Sequence, residues 1–214
     1  MRNRFDEQLL MLNKKMIEMG ALCERVIELA EEALLEGDLE SAKKVRTDGH
    51  EIDEMEREIE SICLKLILQQ QPVAKDLRQI SAALKMITDM ERIGDQAEDI
   101  AEIIPYLKGR SGSELSSFRQ MAKTTSKMVT DSIDAYVKQD VELAKSVHRQ
   151  DDIVDSCFSK VKQTLIKMIS QTQTDGEYAI DLLMIAKYFE RIGDHAVNIA
   201  EWVEFSVTGV HKGV

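Results

Sequence analysis

The chain is written twice. Glu91-Arg92-Ile93-Gly94-Asp95 returns unchanged as Glu190-Arg191-Ile192-Gly193-Asp194, 99 residues later. Ala97, Ile100, Ala101 and Glu102 pair with Ala196, Ile199, Ala200 and Glu201 at the same offset. A second block pairs Gly37-Asp38 with Gln139-Asp140, Ala42 with Ala144, Val45 with Val147 and Asp53 with Asp155, always 102 residues apart. A duplication of this length copies a whole structural unit, so both halves must be built from the same elements. The three-residue difference between the offsets falls between the blocks, where a helix–helix connection can shorten.

Those elements are helices. Only Pro72 and Pro105 interrupt a chain rich in Ala, Leu, Ile, Met, Glu, Lys and Gln, which are good helix formers. The expected helices run over 3–36, 38–70 and 73–107 in the first half, and over 114–138, 140–172 and 177–207 in the second. Gly37-Asp38 and Gln139-Asp140 mark tight turns with Asp at the N-cap, and Pro72 suits a first helical turn. Lys108-Gly109-Arg110-Ser111-Gly112-Ser113 holds the one clear linker, and Thr174-Asp175-Gly176 breaks the last pair. In the fifth helix Ala144, Val147, Asp151, Val154, Phe158, Val161, Leu165 and Met168 alternate by three and four, the seam of packed helices. Short loops make neighbours antiparallel. The expected fold is all-α: two tandem, pseudo-symmetric three-helix bundles of long helices, up-down-up, in an elongated molecule. The units span 1–108 and 114–208, with a linker at 109–113.

Charge narrows the function. With 28 Lys and Arg against 39 Asp and Glu the net charge is −11, which argues against nucleic acid and against anionic membrane surfaces. It suits a cation or a basic patch on another protein. No apolar run reaches 18 residues, so neither direct membrane insertion nor a signal peptide is expected, and a cytoplasmic location follows. Cys23, Cys63 and Cys157 lack metal-site or disulfide spacing and read as buried apolar positions. Trp202 reads as an anchor of the last helix, and exposed Met and Leu positions on long acidic helices point to a homodimer. No P-loop, GxSxG, HExxH or glycine-rich phosphate cradle occurs, and no histidine follows a Glu by three residues as di-iron bundles require.

The seam turns acidic at the repeated pentapeptide. In the third helix one stripe is apolar at Ala83, Met86, Ile87, Met90, Ile93, Ala97, Ile100 and Ile104. A second face begins with Leu77, Ile80 and Leu84 and continues into Glu91, Asp95, Glu98 and Glu102. In the sixth helix the same face carries Leu183 and then Glu190, Asp194 and Glu201. Carboxylates four apart repel, and a mid-helix glycine costs about 1 kcal/mol against alanine. Both penalties recur in both copies, which points to close helix approach at the glycine and to a cation or basic partner at the acids. Asp151 and Asp155 add a second pair in the second half. In the first half Gly49 stands at the aligned position, leaving Asp53 with Asp48 or His50 nearby. Carboxylate pairs on neighbouring helices suit hard cations and iron; the plain alternative is a solvated face neutralised by Arg92 and Arg191.

At these blocks the chain resembles the PhoU family. The resemblance is carried by Asp89-Met90-Glu91-Arg92-Ile93-Gly94-Asp95, by the stretch from Phe189 to Glu201, by Gln71-Pro72-Val73-Ala74-Lys75-Asp76-Leu77-Arg78 and by Phe5-Asp6-Glu7-Gln8-Leu9. It implies two tandem three-helix bundles without enzymatic activity. It also implies an accessory protein of the high-affinity phosphate transporter that restrains uptake and helps silence the phosphate-starvation response. The implied partners are the transporter's ATPase subunit and a membrane sensor histidine kinase. Some relatives bind iron or zinc clusters through E/D-x-x-x-D pairs. That motif falls here on Glu91 and Asp95, on Glu190 and Asp194, and on Asp151 and Asp155, while the first half offers only Asp53 with Asp48. Two other classes remain open: a metal-dependent hydrolase or oxidase on a carboxylate-rich bundle, and a purely structural helical adaptor.

Overall fold

The computed structural model describes residues 2–70, 72–107, 115–170 and 175–210. The expected linker at 109–113 lies outside these residues, as do Gln71, Thr174 and His211. Six helices follow one another: α1 Arg2–Glu36, α2 Leu39–Gln70, α3 Ala74–Ile103, α4 Ser116–Lys138, α5 Val141–Ile169 and α6 Gly176–Thr208. Among the described residues there is no strand.

Local chemistry sets the helix ends. Gly37 and Gln139, partners in the duplication, both adopt the left-handed backbone that reverses the chain, with φ of 69° and 55°. The aspartates that follow cap the next helix: Asp38 Oδ1 accepts from the Glu40 amide at 2.9 Å, and Asp140 Oδ1 from the Leu143 amide at 3.0 Å. Asp175 caps α6 through the amides of Glu177 and Tyr178. Two proline positions differ from expectation. Val73, extended at ψ 163°, is the N-cap of α3, so Pro72 precedes the helix and fixes the entering chain instead of filling its first turn. Pro105 has no amide to continue the α-helical ladder, and Ile104–Leu107 tighten into a 3-10 turn.

The expected stripes are the buried ones. Ala83, Met86, Met90, Ile93, Ala97 and Ile100 of α3 and Ala144, Val147, Val154, Val161 and Leu165 of α5 are all inside. Cys23, Cys63 and Cys157 are buried free thiols, and burial pushes Cys63 up to about 12. Trp202 is half-buried and meets Phe205 edge to face at 5.8 Å. No described helix is long and apolar enough to cross a membrane.

The two bundles, α1–α3 and α4–α6, share one continuous apolar core. α3 packs on α6 and α1 on α4, while α2 rests on α1 and α3 and α5 on α4 and α6. The result is two layers. Helices α2, α3, α6 and α5 lie side by side, and α1 and α4 cover one side of that row. Asp89 meets His195, whereas Gln96 meets Arg191, so α3 and α6 run antiparallel. α1 and α4 also run antiparallel, with Gly20 against Ile133 and Glu31 against Arg119. A pseudo-two-fold axis across the helices therefore relates the copies, and Gly94 and Gly193 lie level with each other beside it.

Candidate functional site

The repeated pentapeptides fall where α3 meets α2 and where α6 meets α5. The glycines permit the approach. A Cβ on Gly94 would lie 3.2 Å from Ile52 Cδ1, and one on Gly193 would lie 2.9 Å from Asp151 Oδ1. Each acidic face then opens between its two helices, away from α1 and α4. Both grooves consequently open on the same side of the molecule.

In the first groove Arg92 lies across the pair, with Nη1 2.7 Å from Asp95 Oδ2 and Nε 3.3 Å from Glu91 Oε2. Glu91 Oε2 is shielded from solvent and accepts no hydrogen bond. Burial, and then Asp95, push its carboxyl above the ordinary carboxylate range against the pull of Arg92. Asp53 faces this groove and lies 4.0 Å from His50. Asp48 does not face it: it is buried against α1, where Arg25 Nε sits 2.9 Å from its Oδ2.

Gly49 explains how the first groove manages without an acid on α2. A Cβ there would come within 1.9 Å of Glu98 Oε1. The side chain of Glu98 therefore occupies the space over Gly49, as Asp151 occupies the space over Gly193. The carboxylate has changed helices between the copies, since α6 carries Val197 at the position of Glu98. Burial raises Glu98 above its usual range, an effect that His50 opposes and Asp53 reinforces. Sequence spacing placed Glu98 on the acidic face but not in the candidate set; the signal was the glycine facing it.

In the second groove Asp151, Asp155, Glu190 and Asp194 come together. Asp151 is pushed up to about 6, first by burial and then by the charges of Asp155, Asp194 and Glu190. Its Oδ1 is shielded from solvent without a hydrogen-bond partner. Asp194 is raised by burial and by Glu190. Here Lys187 is the neutralising cation, paired with Glu190. Arg191 instead reaches across to Gln96 Oε1 at 3.5 Å. His195 ties the halves together: its Nδ1 lies 2.9 Å from Asp89 Oδ1, which also accepts from Asn198.

These donors are all oxygens and would suit a hard cation. Among the described residues no group of three or more His, Cys, Asp or Glu is placed to hold a metal ion, and Arg92 and Lys187 already engage an acid in each groove.

A duplicated three-helix unit with one shared core and a paired acidic face defines an all-helical protein that presents charge on an outer face. Comparison with known proteins gives that class a family. The PhoU domain model matches residues 16–104 and again 118–203. A Clostridium acetobutylicum protein described as a phosphate-specific transport system accessory protein PhoU homolog is 35% identical, over 97% of this chain and 96% of its own length. The crystal structure of PhoU from Pseudomonas aeruginosa superposes with a TM-score of 0.90 at 32% identity, covering 96% of this chain and all of that one. That of the phosphate transport system regulatory protein PhoU from Streptococcus pneumoniae superposes at 0.89 with 25% identity, over 98% of this chain. The chain belongs to the PhoU family.

Proposed function

We propose that this protein regulates phosphate transport by docking, on the cytoplasmic side, against the transporter's ATPase subunit. It restrains uptake when phosphate is plentiful and biases a sensor histidine kinase toward its inactive form. The observation that carries this reading is the paired acidic face in a chain that matches a phosphate-transport accessory protein over 97% of its length. Neutralised only in part, such a face recognises basic protein surfaces by charge. The same carboxylates repel a phosphate ion, so phosphate status reaches the protein through its partners. The role is non-catalytic, and we carry the homodimer as part of the proposal.

Deletion of the gene tests it. Phosphate uptake and starvation-gene expression at high phosphate are both expected to rise, and a deletion that moves neither sinks the proposal. A second reading, metal loading of the second groove with iron or zinc, is favoured by the orphaned Asp151 Oδ1. Elemental analysis of purified protein decides it: a full equivalent of metal, lost on Asp151→Asn with Asp155→Asn, would support it, and a metal-free protein would not.

A further inference from the structure

We draw no further inference here: the strongest candidate, the open cleft between the first turns of α2 and the end of α3, lined by Arg46, Asp99, Tyr106 and Tyr188 among others, sets both signs of charge beside exposed apolar side chains, and nothing in the structure shows what covers it.

Discussion

Asp151 carries the largest strain of charge among the groove residues. Its folded pKa is raised to about 6 from the ordinary aspartate value. The native state therefore holds this proton more tightly than the unfolded chain, and Asp151 favours folding at low pH. That contribution is lost as pH rises from about 4 through about 6. Because the side chain is about half open to water, screening reduces the effect to roughly 1 kcal/mol. Asp151→Asn should thus stabilise the protein by about that amount at pH 7.5 and by much less at pH 4, measured by thermal melts in a chelator. The glycines divide by what faces them. At Gly49 the neighbour is the far end of Glu98, which can swing into solvent, so Gly49→Ala should add roughly 0.5–1 kcal/mol through helix propensity. At Gly94 the neighbour is Ile52, which is fully buried. Gly94→Leu should cost about 1–3 kcal/mol by overpacking, read from urea denaturation.

At the scale of elements the turn between α4 and α5 is less well made than its twin. Gln139 holds the left-handed conformation that Gly37 holds in the first copy. A non-glycine residue there is strained, although its side-chain amide donates to the Tyr136 carbonyl at 2.9 Å. Gln139→Gly should raise stability by up to about 1 kcal/mol, measured as a shift in denaturation midpoint at unchanged slope. This turn was legible in the sequence because Gln139 aligned with a glycine and preceded an aspartate. The helix seams were legible because apolar positions recur at three and four. What escaped was the pairing of α3 with α6. Ala82 and Ala101 of α3 and Ala186 and Ala200 of α6 are buried beside the main stripes. They widen the apolar arc beyond what one bundle needs, but alanine is common on any helix face and gave no contrast. The groove acids were legible in position but not in partnership. Spacing cannot tell that Asp48 turns to Arg25, or that Glu98 stands in for an acid at Gly49, since both depend on the helix across the groove.

In the whole molecule the two bundles share one apolar core. Unfolding of α1–α3 alone would expose the faces of α4 and α6 that pack against them, so the halves should not melt separately. Trp202 reports on α6 and far-UV circular dichroism on all six helices; their urea transitions should coincide. Separated transitions would show two independent units. The continuous core also fixes the two grooves relative to each other. They run in opposite senses on a single side, matched in location and unequal in chemistry. Any surface broad enough to cover this side meets both grooves at once, and meets them head to tail.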